Sequence, residues 1–271
     1  MDSIPLEFID SVFHQMTFQS IKLSGEVNHN VWLHVRNTHL SKRMDYDLTV
    51  SISPYGSFYT ELCSRPRRKS LSPEDFMQKL SQFDRIIDIT CVQGLQSTVQ
   101  ESSIEDALHI SRSLKQYIGS AVQYNHASLT GATRVFYEFN FWKWPVRRLK
   151  LFDIGSDGVL KWHLENNECL REVLIIWDVE VPALLALNLQ YKRRIEWICG
   201  LLPSLKAAIE QWKSTPESID FCIQTCSNKE NVQLVQTEMT EAESAEGAFK
   251  IYTLKHPNGQ ATFTVKIADD F

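Results

Sequence analysis

The sequence predicts an α/β protein: a βα solenoid, preceded by an N-terminal helix and an antiparallel meander and closed by a C-terminal β-hairpin. Three observations predict it. Strand-like segments centred on Tyr124, Leu149, Leu174, Trp197 and Phe221 follow one another at gaps of 25, 25, 23 and 24 residues, each gap holding one short helix. The opening residues carry an apolar stripe of helical period, and the end carries two alternating runs joined by "HPNG". One strand and one helix per unit, at a period in the twenties, is a leucine-rich-repeat-like signature. Such a unit cannot bury its own apolar face, and stacking the strands side by side buries it. The asparagine or cysteine ladder position usual in such repeats is not evident, so an open α/β sheet built of units of similar length is the alternative.

The first element is "MDSIPLEFIDSVFHQM". Ser3 suits an N-cap, Pro5 the first turn, and Glu7 and Asp10 the positive start of a helix. Phe8, Ile9, Val12 and Met16 form one stripe, which Phe13 widens. The segments "VWLHVR" (31–36), "YDLTVSI" (46–52) and "SFYTEL" (57–62) alternate apolar and polar residues, so 20–62 reads as an antiparallel meander with a turn at "SPYG". "CSRPRRKSLSPEDF" places Arg65, Arg67, Arg68 and Lys69 in a basic loop and opens a helix to about residue 83, with Ser72 as N-cap and Pro73 at its first position. Ser70 follows the basic residues, the context basophilic kinases prefer, and is the candidate regulatory residue.

Strand and helix then alternate. "RIIDITCV" (85–92) reads as a strand, 103–120 as an amphipathic helix, "AVQYNHASL" as a weak strand and "TRVFYEFNFWKW" as a helix. "VRRLKLFDI" (146–154), "LREVLIIWDV" (170–179), "RIEWICG" (194–200) and "ESIDFCIQT" (217–225) read as strands. Between them lie "DGVLKWHLENNE" and two helices opened by Pro182 and Pro203. "NVQLVQTEM" reads as a further strand and "TEAESAEGA" as an exposed acidic loop. In the closing hairpin Phe249, Ile251 and Thr253 alternate, then Ala261, Phe263, Val265 and Ile267, with Asn-Gly supplying the positive φ of a tight reversal. The expected division is 1–70, helix plus meander, and 71–271, the repeat region with its hairpin cap.

Composition narrows the function classes. Of 271 residues 43% are apolar and 23% charged, close to the soluble globular average, and the net charge of −5 gives no reason to expect nucleic-acid binding. No basic n-region and no apolar run of membrane-spanning length is visible, so neither a signal peptide nor a membrane partner is expected. The six cysteines are scattered, as expected of reduced thiols in a cytoplasmic or nuclear protein. No catalytic, metal or cofactor site is expected. Gly155 and Gly158 lack the rest of a phosphate loop. The histidines at 29, 34 and 39 are five apart, which suits neither a helix face nor a strand face, and Cys222 and Cys226 lack a second ligand pair. Asp153 and Asp178 fall near strand ends, where an α/β enzyme would place its site; their 25-residue separation also follows from the repeat.

"MDSIPLEFIDSVFHQM" and "LKHPNGQATFTV" together resemble the start and end of the nematode-expanded F-box-related, or F-box-associated, proteins. The resemblance implies a substrate-recognition adaptor of a ubiquitin ligase, in which an N-terminal helical segment grips the ligase's linker subunit. Carried onto this chain, Ile4, Pro5, Phe8, Ile9, Val12 and Met16 would form the apolar start of that segment, the candidate partner-docking residues. A full F-box is largely helical, whereas this sequence turns strand-like from about residue 31. The expected function is thus a non-catalytic protein-interaction module, not an enzyme, with an α/β enzyme of unknown chemistry as the alternative.

Overall fold

The computed structural model describes residues 4–16, 18–24, 29–52, 58–65, 70–79, 81–93, 109, 112–114, 118–126, 143–151, 157–176, 179–200, 202–216, 219–226, 228–242 and 249–268. The chain is mixed α/β and divides into two compact units, 1–147 and 148–271.

The first unit opens with three helices: α1 (Leu6–Gln15), α2 (Phe18–Leu23) and α3 (Asn30–Lys42). Pro5 is the N-cap of α1, and its carbonyl accepts from the Phe8 and Ile9 amides. Ile9 and Phe13 face inward with Ile21 of α2 and Val35 of α3, and Ile4, Met16, Trp32 and Leu40 pack around that core. The meander expected over 20–62 is therefore absent from its first half, where "VWLHVR" is helical. The buried line of α3 runs through Trp32, Val35 and His39, a helical spacing, while Val31 stands 40% exposed. The alternation of Val31, Leu33 and Val35 is coincidental.

The second half of the meander is a hairpin as expected. β1 (Asp45–Ile52) pairs antiparallel with β2 (Phe58–Arg65), and β2 with the short β3 (Ser70–Leu71). The expected turn at "SPYG" lies outside the described residues. α4 (Pro73–Lys79) begins where expected: the Ser72 hydroxyl accepts from the Asp75 amide at 3.1 Å, and Phe76 is buried edge-on to Tyr46. β4 (Arg85–Gln93) then lies parallel to β1, and β5 (Ile118–His126) parallel to β4. Within this unit the strand order is β5-β4-β1-β2-β3. Because β1 pairs with β4, position 70 lies inside the first unit. Most of the helix expected over 103–120 and of that over 133–144 lies outside the described residues; Ile118–Ser120 belong to β5 and not to a helix.

The second unit alternates strictly at first: β6 (Arg148–Leu151), α5 (Asp157–Asn166), β7 (Glu172–Ile175), α6 (Val181–Tyr191), β8 (Glu196–Cys199), α7 (Leu205–Ser214) and β9 (Phe221–Cys226). These four strands are parallel neighbours in chain order, with Leu149, Val173, Trp197 and Ile223 side by side in register. One strand face is buried, and its largest members meet helices through polar tips. Trp197 donates its indole N–H to Asn188 of α6 at 3.3 Å, and Asn188 donates to the Asp220 carbonyl at 3.1 Å. Trp212 of α7, fully buried, donates to the Ile219 carbonyl. Burying these donors with partners avoids the cost of about 1–3 kcal/mol for an orphaned polar group.

"NVQLVQTEM" is not a strand but α8 (Lys229–Glu238). The Asn228 side chain caps it by accepting from the Glu230 amide, and Asn231, Val235 and Met239 recur every four residues on its buried face. β10 (Thr240–Ala242) pairs with β11 (Phe249–Lys255), which forms the expected hairpin with β12 (Thr262–Ala268). β12 lies parallel to β9, so the hairpin continues the sheet beyond β9, and the order is β6-β7-β8-β9-β12-β11-β10. In the turn Gly259 has φ 75°, a conformation β-carbon-bearing residues avoid. His256 is buried beside it. Its Nδ1 accepts from the Asn258 amide, which leaves the proton on Nε2 to be donated to the Trp212 carbonyl at 3.0 Å.

Candidate functional site: the seam of α1 and α3

The helical start presents two faces of different character. Inward, Ile9 and Phe13 are each 1% exposed. Outward, Leu6 is 52% and Phe8 56% exposed. Among the described residues seven large apolar side chains are exposed, and five of them, Leu6, Phe8, Phe18, Leu23 and Val31, belong to α1, α2 and α3. Single exposed apolar residues are ordinary; their concentration on one small helical segment is not.

The structure separates the six expected docking residues. Pro5 and Phe8 are exposed, Ile4, Val12 and Met16 are half-buried, and Ile9 is in the core. Ile4 and Met16 rest against that core. Leu6, which is not among the six, is 52% exposed, close to Phe8.

Between α1 and α3 a surface cavity of about 280 Å³ is lined by Leu6, Glu7, Asp10, His34, Val35 and Gln82, among others. Beside it lies a cluster of polar side chains. Asp10 and His14 are one helical turn apart on α1, with His14 Nε2 3.1 Å from Asp10 Oδ2. His39, fully buried on α3, brings its Nε2 to 2.9 Å from Asp10 Oδ1. Arg85, at the start of β4, hydrogen-bonds His14 Nδ1 and also donates to the carbonyls of Gln82 and Asp84. Since arginine can only donate, His14 Nδ1 is the acceptor and its proton sits on Nε2, facing Asp10. Asp10 thus accepts an imidazole N–H on each oxygen and ties α1 to α3.

Two arginines hold the far end of α1. Buried Arg43 donates to the carbonyls of Phe13 and Met16 and is paired with Asp45 at 2.7 Å, and Arg85 lies 3.4 Å from the His14 carbonyl. They satisfy the terminal carbonyls and complement the negative helix end. Burial and the neighbouring Arg85 charge push the His14 pKa down to about 4, against the pull of Asp10. Burial likewise lowers that of His39, whose bond to Asp10 opposes the shift. Both rings are neutral near pH 7. His39 Nδ1 is buried and has no hydrogen-bond partner.

Elsewhere, Ser70 is exposed on β3, in register with Cys63. Arg65, expected in a loose basic loop, is in β2 and engaged by Asp47 at 2.7 Å and Asp88 at 3.5 Å. Arg67, Arg68, Lys69, Asp153 and Asp178 lie outside the described residues. Cys222 is half-buried and Cys226 exposed on β9. No described helix is long and apolar enough to cross a membrane. The Asp10–His14–His39 cluster is not evident from the sequence. Its Asp-x-x-x-His half was visible as a one-turn helical spacing; His39 was hidden because its helix was read as a strand. Comparison with family models, curated proteins and solved structures yields no match to this chain.

Proposed function

We propose that this protein is a non-catalytic interaction module, a substrate-recognition adaptor related to the F-box proteins of ubiquitin ligases. One observation carries the reading: the concentration of exposed apolar side chains on the three opening helices, led by Leu6 and Phe8. The helical character of 30–42 supports it further, because a strand there was the main departure from an F-box. In this reading the outward face of α1 docks the ligase's linker subunit through Pro5, Leu6 and Phe8, while Ile9 and Phe13 hold the segment together. The parallel strands β6 to β9 are read as a leucine-rich-repeat-like solenoid. Their register-matched residues are 24, 24 and 26 positions apart, and their half-buried face, with Lys150, Leu174, Ile198 and Gln224, is the surface for substrate. Ser70 is assigned to regulation, its phosphate adding charge beside the start of α4.

The test is co-purification from native lysate of wild-type chain and of the Leu6→Ala/Phe8→Ala variant. Ligase subunits should accompany the wild type and be lost with the variant. Stable partners without any ligase subunit, or ligase subunits retained equally by the variant, would refute the docking face.

A further inference from the structure

We propose that Asp10, His14 and His39 form a binding site for a divalent first-row transition metal, with Zn²⁺ as the reference ion. One ligand atom from each residue lies within 4.8 Å of the others. Two imidazoles and a carboxylate converging from two helices are a donor set suited to Zn²⁺, Co²⁺ or Fe²⁺. The set is held rigidly: Asp10 and His14 are fixed one turn apart on α1, and His39 is immobilised by ring contacts to Phe13, His14 and Phe83. Asp10, which both imidazoles meet, also lines the surface cavity between α1 and α3. Zinc sites with three protein ligands take water in the fourth position.

The proton inventory says what binding requires. In the hydrogen-bonded arrangement both Nε2 atoms carry protons and donate to Asp10. For both to become ligands, each ring must move its proton to Nδ1. His39 Nδ1 is without a hydrogen-bond partner and can take it. His14 Nδ1 is held by Arg85, which must swing aside. The guanidinium of Arg85, which holds His14 Nδ1, also repels the incoming cation. Arg85 therefore acts as the antagonist of the metal, and its removal should tighten binding.

The experiment uses the full chain, stripped with chelator and titrated with Zn²⁺ and, separately, with Co²⁺. One ion per chain should bind at micromolar concentration and raise the thermal midpoint. Co²⁺ should give visible d–d bands without the near-ultraviolet thiolate charge-transfer band that cysteine ligation produces. His39→Ala and Asp10→Ala should each weaken binding by about tenfold or more, the size of effect that even outer partners of a metal ligand show. Arg85→Gln should bind at least as tightly as wild type. Folded wild-type protein that binds neither ion would overturn the proposal and leave the cluster as a hydrogen-bonded tie alone. So would a thiolate band, or binding indifferent to the loss of His39. The Co²⁺ spectrum decides the question on wild-type protein even if a variant fails to fold.

Discussion

Phe8 and Phe13 are five residues apart on one helix, and their replacement by alanine should have very different costs. Phe13 is 1% exposed and touches the rings of Trp32 and His39 at centroid distances of 5.9 and 5.7 Å. Removing a buried phenyl ring costs about 3–5 kcal/mol, including the cavity left behind. Phe8 is 56% exposed, so truncation forfeits less than half of a full burial worth about 1.5–3 kcal/mol, or at most about 1.3 kcal/mol. Urea denaturation followed by far-ultraviolet circular dichroism reads the difference. At a slope of about 2 kcal/mol/M, Phe13→Ala should lower the midpoint by about 2 M and Phe8→Ala by no more than about 0.7 M. Equal losses, or a larger one for Phe8→Ala, would refute the assignment of an inward and an outward face to α1.

Other consequences are open to the same kind of check. His256→Ala should cost about 1–3 kcal/mol, since it removes a buried ring that donates to the Trp212 carbonyl and packs edge-on against the Trp212 indole, and hydrogen exchange should show the loss concentrated in β11 and β12. Asn188→Ala should cost a similar amount, about 1–3 kcal/mol, by orphaning the Trp197 indole N–H, whereas Asn166→Ala on the exposed side of α5 should change stability by less than about 0.5 kcal/mol. Burial pushes the thiol pKa of Cys199 and of Cys222 up to about 12, so at pH 8 both are protonated and should resist iodoacetamide in the native state. Cys226, exposed on the same strand as Cys222, should react first; mass spectrometry of partially alkylated protein would expose the opposite order.

Much of the strand framework was legible in the sequence, because each strand buries one face and writes it as an alternation. Leu48 and Val50 in β1, and Phe263, Val265 and Ile267 in β12, are all buried on one side. The parallel strands β6 to β9 were legible as a spacing more than as a motif. Helices were legible where caps announced them, as at Ser72 and Pro182. They were lost where the buried stripe uses polar residues. In α3 the inward positions include His39, and in α8 they include Asn231, so the apolar residues left over mimicked a strand. The division expected at residue 70 differs from the division into units 1–147 and 148–271. The parallel pairing of β1 with β4 joins segments on both sides of position 70, and nothing local to either segment encodes that pairing. The α1–α3 cluster shares this non-local character, since His39 meets Asp10 across 29 positions.

The most direct measurement is the affinity of the purified ligase linker subunit for this chain, by calorimetry, with wild type and with Leu6→Ala/Phe8→Ala confirmed as folded by circular dichroism. Saturable binding by the wild type, weakened by about tenfold or more in the variant, is the result expected if the exposed face of α1 is the docking surface. No binding by folded wild-type protein, or equal affinity for both, would contradict it.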